Sequence, residues 1–238
     1  MASATTNHSE PPPSQPSVLL ILPRVIIRPF KPTDAPSLAR HGNDPEIAKN
    51  MRDTFPHPYR LQDAEYFLAN LASATSSSAP SLRPDGVLLH YALCLPPPSS
   101  SSSPPSGGGA GGGGGEEEEE EEEDCAACIG AIGLKPLGDV EARTLELGYW
   151  VGRAHWGNGY ATEAVAGFSR WAFETFPDVL RLEARVHEGN GASGAVLLKA
   201  GYREEGVRRK AVWKNGSSLD MLFYGMLRGE CPGLQRTA

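Results

Sequence analysis

The sequence predicts an α/β protein of the α+β kind: a mixed, mostly antiparallel sheet of about seven strands with helices on both faces. Three observations predict it. In "LELGYWVG", Leu145, Leu147, Tyr149 and Val151 alternate with Glu146, Gly148, Trp150 and Gly152, a period of two that turns one set to a core and the other to the opposite side. Ala161, Ala164, Val165, Phe168, Ala172 and Phe176 then recur at helical spacing and make one apolar stripe. Near the end, Asn215-Gly216 separates two strand-like runs, the strongest short signal for a β-hairpin.

The elements follow in order. Residues 1–17 are polar and proline-rich and are expected to form a disordered tail. Val18 to Leu22 are apolar and read as the approach to a first strand, and Arg24 to Phe30 is β-branched and strand-like. Thr33 or Asp34 caps a short helix ending near His41-Gly42. Asp44 caps a second over Asn43 to Asn50, with Pro45 at its first position, where a missing N–H is tolerated. Gln62 to Leu71 is a third helix, and strands follow at Val87–Leu95, Cys128–Leu137 and Arg143–Gly152. A helix runs from about Gly159 to Phe176. In "LRLEARVH", Leu180, Leu182, Ala184 and Val186 share one face. A helix from about Ala192 to Ala200 stops at Gly201, and strands at Val207–Lys214 and Ser217–Leu227 close the fold.

Residues 96–124 interrupt this pattern with "PPPSSSSSPPSGGGAGGGGG" and an acid run. Such composition cannot bury enough apolar surface to offset ordering entropy. It stands between two strands, and loop closure cost grows only logarithmically with length. The segment therefore reads as a loop expansion inside one domain spanning 18–230, not as a linker between two.

Composition excludes several classes. Of 238 residues, 29 are acidic and 22 basic, giving a formal charge of −7. Nine of those acids are consecutive, Glu116 to Asp124, and without them the balance turns slightly positive. The run is a solubilising spacer or a dock for a basic protein partner. No basic stripe points to nucleic acid, and Arg208 to Lys210 reads as a solvated strand edge. No apolar stretch approaches the ~20 residues of a membrane helix, and the start lacks the basic-then-apolar order of a secretory signal. Cytoplasmic localisation is the expectation. The cysteines are Cys94, Cys125, Cys128 and Cys231. Cys125-x-x-Cys128 has no second pair at zinc-site spacing, so no metal is expected.

The segment Leu145 to Phe173 carries the chemistry. A strand ends at Val151-Gly152, a turn contains Arg153, Gly157 and Gly159, and a helix begins. First-turn N–H groups lack internal partners and the helix dipole adds positive potential there. Glycines let a phosphate approach the backbone. The arrangement suits a pyrophosphate, although a glycine-rich turn is also simply a turn. It is neither a Walker motif nor a dinucleotide fingerprint.

The wider text is more specific. "LELGYWVGRAHWGNGYATEAV", "NGASGAVLLKAGYREEGVRR" and "WKNGSSLDMLFYGML" resemble the GNAT acetyltransferase superfamily, within it the branch of ribosomal-protein-alanine and -serine N-acetyltransferases. The resemblance runs from about Arg24 to Arg228, without residues 96–124, and is densest from Glu146 to Asp220. It implies the GNAT fold and acetyl-CoA as co-substrate.

Residue by residue, it places the pyrophosphate turn at Arg153, Gly157, Asn158, Gly159, Tyr160 and Ala161, with one residue more after Arg153 than the tightest form. Tyr149, Trp150, Val151 and Gly152 become the strand end that pairs with the pantetheine arm, and Asn190 a hydrogen-bonding partner of the coenzyme. A backbone N–H near Trp150 or Val151 would meet the thioester oxyanion. Glu146, the one carboxylate in its strand, is the candidate base or amine-orienting group; the alternative is a rim carboxylate that contacts substrate or pairs with an arginine. The tyrosine many relatives use as thiolate acid is here Leu197, and Ser193 is the replacement candidate, or only a helix-start hydroxyl. His155 reads as a loop residue and Trp156 as packing beside the helix start. Asp220 reads as structural or substrate-side.

The resulting expectation is transfer of an acetyl group from acetyl-CoA to a primary amine, a protein N-terminus or a small amine, by direct attack in a ternary complex. The alternatives are a catalytically silent acyl-CoA-binding module acting through its acidic loop, and a structural domain with no ligand.

Overall fold

The computed structural model describes residues 17–79, 82–97 and 127–234. The expected tail short of Ser17 and the low-complexity segment from residue 98, with its acid run and Cys125, lie outside the described residues. Among the described residues eight strands form one sheet: β1 (Leu20–Ile21), β2 (Ile26–Arg28), β3 (His90–Cys94), β4 (Cys128–Pro136), β5 (Thr144–Val151), β6 (Arg181–His187), β7 (Arg203–Lys214) and β8 (Ser217–Leu227). The helices are α1 (Ala35–Gly42), α2 (Pro45–Ala48), α3 (Leu61–Asn70), α4 (Tyr160–Thr175) and α5 (Gly191–Lys199).

The order across the sheet is β1-β2-β3-β4-β5-β6-β8-β7. Neighbours are antiparallel except β5 and β6, which run parallel because α4 carries the chain back between them. The strand beyond the expected seven is β1, whose two residues pair with Ile27 and Ile26. The helix expected over Asn43 to Asn50 shrinks to the four residues of α2, although Asp44 caps it as read, accepting from the Glu46 N–H at 2.8 Å. Leu180 does not join the buried face of "LRLEARVH". It precedes β6 and is 48% exposed. The β7–β8 hairpin turns at Asn215 and Gly216, with φ of 51° and 75°, the positive pair that the favoured two-residue turn requires.

Alternation along the strands builds two cores. On one face, Leu145, Leu147 and Val151 of β5 and Leu182, Ala184 and Val186 of β6 pack with Ala164, Val165, Phe168, Ala172 and Phe173 of α4 and Leu197 of α5. On the other, α1 and α3 supply Ala35, Leu38 and Ala64, which pack with Tyr59, Ala92, Cys94 and Cys128 and draw in Phe55 and Trp150. The two helix layers thus cover opposite faces of β5, as its two-residue period anticipates.

The parallel pairing is short. It joins Thr144 to Arg181, Leu145 to Leu182 and Glu146 to Glu183, and then ends. Yet β5 continues to Val151 and β6 to His187. The two strands splay, and the gap between their carboxyl ends opens into the site.

Candidate active site

A cleft of about 1360 Å³ runs through that gap. It exceeds the roughly 300–1,000 Å³ usual for one small ligand, which leaves room for two substrates. Its walls come from β5, β6, the turn before α4, the first turns of α4 and α5, and the aromatic residues around α3.

The coenzyme side begins with hydrogen-bond accounting. The Gly152 N–H donates to the Ile129 carbonyl of β4 at 2.8 Å. Residues two apart in a strand point their amides the same way, so Trp150 and Gly148 also face β4. Leu147, Tyr149 and Val151 therefore turn theirs toward β6; Leu147 lies next to the last rung of the pairing, Glu146 with Glu183, and Tyr149 and Val151 face the gap where the pairing has ended. Of the two amides expected near the oxyanion, Val151 faces the gap and Trp150 does not. An extended amide chain such as pantetheine fits a free strand edge of this kind.

The turn before α4 follows. Gly157 and Gly159 have φ of 79° and 76°, and Gly159 is the N-cap of α4. A side chain at either position would be strained. A Cβ on Gly159 would also lie 3.1 Å from the Arg24 guanidinium. Gly157, Gly159, Tyr160 and Ala161 line the cleft, and the first-turn amides of α4 face an anion without internal partners. Arg24 stabilises the turn from behind: its Nη1 donates to the Asn158 carbonyl at 2.9 Å and its Nε to Glu163 at 2.7 Å. Asn158 donates through Nδ2 to the His155 and Trp156 carbonyls, each at 3.2 Å, and so shapes the turn. Arg153 lies at the outer rim, 60% exposed, with Nη1 3.9 Å from Asp44. Gly152 sits against the His41 ring, and His41 meets His155 edge-on at 5.0 Å. Trp156 donates from Nε1 to the Val151 carbonyl at 2.7 Å, beside the helix start as expected.

Asn190 is the N-cap of α5 and accepts the Ser193 N–H at 3.3 Å. The Ser193 hydroxyl lies 2.8 Å from the Tyr149 hydroxyl, which also reaches the Ser193 carbonyl at 3.2 Å. Burial pushes the Tyr149 phenol up to about 12, opposed by its bond to Ser193, so it keeps its proton at neutral pH. Leu197 is fully buried.

The opposite side of the gap is polar. Glu146 is 9% exposed at its side chain. Arg52, from the loop after α2, donates to its Oε1. Its Oε2 is buried with no hydrogen bond, the Arg185 Nε standing 3.8 Å away. Arg185 also donates from Nη2 to Glu183 at 3.0 Å. Two residues beyond Arg185 on the same face, His187 lines the cleft with its Nδ1 buried and without a hydrogen bond. Lys214 donates to Asp53 at 2.8 Å nearby. Asp220 acts within the hairpin, accepting the Lys210 N–H at 2.8 Å.

The structure thus brings Glu146, Tyr149, Trp150, Val151, Gly157, Gly159, Tyr160, Ala161, Asn190 and Ser193 to one cleft and leaves Gly152, Arg153 and Asn158 behind or beside it. Sequence reasoning missed Arg52, Arg185, His187 and the Tyr149–Ser193 pair. For Arg185 and His187 a signal existed: they occupy the polar phase of "LEARVH". Arg52 stands in irregular chain and carried none. Among the described residues no group of three or more His, Cys, Asp or Glu side chains is placed to hold a metal, and no helix is long and apolar enough to cross a membrane.

Comparisons with known proteins agree with this geometry. YoaA of Bacillus subtilis (strain 168), an uncharacterised N-acetyltransferase, is 33% identical over 105 residues, 44% of this chain and 58% of that protein. YdaF of the same strain, named as a candidate ribosomal N-acetyltransferase, is 34% identical over 104 residues, 44% of this chain and 56% of that one. The chain thus spans somewhat more than half the length of these curated relatives. Mycobacterium smegmatis RimJ, solved in complex with CoA-disulfide, shares the fold at a TM-score of 0.64 and 20% identity, over 88% of this chain and 85% of that one. The model of the acetyltransferase (GNAT) domain matches residues 24–203, and the chain belongs to that family.

Proposed function

We propose that the protein transfers the acetyl group of acetyl-CoA to a primary amine by direct attack in a ternary complex. The observation that carries this reading is the gap between β5 and β6, with unpaired strand amides on one wall and the glycine turn of α4 at one end. The pantetheine arm runs along Tyr149 and Val151. The pyrophosphate sits against Gly157, Gly159 and the first turn of α4, where helix-end amides favour anions. The Val151 N–H meets the thioester oxygen as it gains charge. Glu146, through Oε2, which makes no hydrogen bond, receives the acceptor nitrogen. Ser193, backed by the protonated Tyr149, returns a proton to the leaving thiolate. YdaF's name and the branch resemblance support a protein N-terminus as acceptor, with a small primary amine as the other candidate.

Thiol release from acetyl-CoA against a panel of N-terminal peptides and small amines tests this. Release should require one acceptor class. Gly159→Glu should reduce it by ~100-fold or more, since it adds strain and a negative charge where phosphate binds. Tight coenzyme binding with no thiol released for any acceptor would overturn the reading.

A further inference from the structure

An acceptor amine must lose a proton before it attacks, because alkyl amines are mostly protonated at neutral pH. Glu146 is the obvious recipient by position, but its Oε1 is already held by Arg52, and protonating it would break that pair. Buried polar atoms without partners call for an explanation. Among the described residues the cleft contains two buried side-chain atoms without a hydrogen bond, Glu146 Oε2, which has the Arg185 Nε 3.8 Å away, and His187 Nδ1. They lie on the same face of the splayed strands, opposite the Leu182, Ala184 and Val186 core. With its proton on Nε2, His187 presents a lone pair at Nδ1. Two acceptor atoms in one cleft match a ligand that brings several donors, as an ammonium does.

We infer that Glu146 Oε2 and His187 Nδ1 together seat the acceptor ammonium, and that His187 is the base that takes its proton. This rests on the acetyltransferase reading above.

The surroundings suit the role. Burial holds the His187 pKa below its ordinary value, and the charges of Lys214 and Arg52 add to that, with Asp53 opposing. The charged groups acting on it are Arg52 and Asp53 from the loop after α2 and Lys214 from β7, and Arg185 precedes it by two residues on the same face of β6. Met221, its partner on β8, is uncharged. The imidazole is therefore neutral at pH 7 and able to accept. Arg52 couples the two halves of the seat, bonded to Glu146 and acting through its charge on His187.

The step balances. R–NH₃⁺ gives a proton to Nδ1, leaving R–NH₂ and imidazolium. The amine nitrogen forms a bond to the thioester carbon, the C–S bond breaks, and sulfur leaves with the electron pair. The second amine proton reaches the thiolate through Ser193, giving free thiol. Imidazolium releases its proton to water.

The test compares the parent with His187→Asn and His187→Gln on a strongly basic alkyl amine or peptide and on a weakly basic amine that is already neutral at working pH. Removing a base should lower kcat by ~100-fold or more for the strongly basic acceptor and only a few-fold for the weakly basic one. The acid limb of the parent's kcat–pH profile, below the ordinary imidazole value of about 6.5, should vanish. Acetyl-CoA affinity and melting temperature serve as controls for folding, and should stay near the parent's in at least one variant. Equal loss on both acceptors, or an unchanged limb, would assign His187 a structural role and overturn the inference while leaving acetyl transfer standing. If the parent transfers to no acceptor, the acetyltransferase reading fails and this one with it.

Discussion

Arg28 and Asp34 are joined by two hydrogen bonds, 2.8 and 2.7 Å, with both side chains about 5% exposed or less. Asp34 also accepts the Lys31 N–H at 2.8 Å. Bidentate geometry makes such a buried pair tolerable, but it does not make it a large net source of stability. Its energetics are asymmetric. Asp34→Ala should cost about 3–5 kcal/mol, because it leaves a guanidinium buried without its carboxylate. Arg28→Met combined with Asp34→Leu should cost clearly less. Chemical denaturation of the three proteins measures this, and a single-mutant loss below about 1 kcal/mol would show that Arg28 relaxes to solvent. The same asymmetry applies in the cleft. Glu146 has one oxygen bonded to Arg52 and the other without a hydrogen bond, 3.8 Å from the Arg185 Nε.

At the scale of elements, α4 has two duties. Its first turn lines the cleft, and its apolar stripe closes the larger core. Phe168 links them: it is fully buried, stacks on Trp171 at 4.8 Å and meets Tyr91 of β3 edge-on at 5.7 Å. Phe168→Ala should cost about 3–5 kcal/mol in denaturant unfolding, the usual range for an aromatic removed from a closed core. Little change would mean that the neighbouring rings collapse into the space. The stripe, the alternation of β5 and the glycine turn were legible in the sequence because each is local: residues a few positions apart decide helix, strand or turn. The kind and order of the elements were therefore readable, while ends such as those of α2 and β7 moved by several residues. Other features depend on pairs far apart in the chain. Lys214 meets Asp53 across 161 positions and Tyr149 meets Ser193 across 44. Where the parallel pairing of β5 and β6 stops is likewise a property of the packed sheet, since Leu147 and Ala184 look as strand-like as the residues before them. The cleft was thus expected at the right turn, while its polar wall of Arg52, Arg185 and His187 came from tertiary geometry.

For the molecule as a whole, histidines make stability depend on acidity. His41, His90, His155 and His187 are all held below their ordinary pKa, with burial the largest cause in each. His155 adds to this at His41, and Arg40 acts on both. The sign follows from linkage. The unfolded chain binds protons at these groups near pH 6.5, and the folded chain binds them only at lower pH. Their contribution is therefore complete above about 6.5 and declines as pH falls from there toward the folded values. Carboxylates act later: Glu205, lowered mainly by its hydrogen bond to Arg181, loses its contribution as pH falls below the ordinary carboxylate value of about 4.3. The two windows are separable. Melting temperature should be nearly flat from pH 8 to about 7, decline between about 6.5 and 5, and decline again below about 4.5. His90→Gln should make the first decline shallower and leave the second unchanged. A melting temperature constant down to pH 5 would mean that these imidazoles gain a compensating partner when protonated. The charges acting on His41 and His155 are Arg40 on both and His155 on His41, and all of them oppose protonation, which argues for the decline.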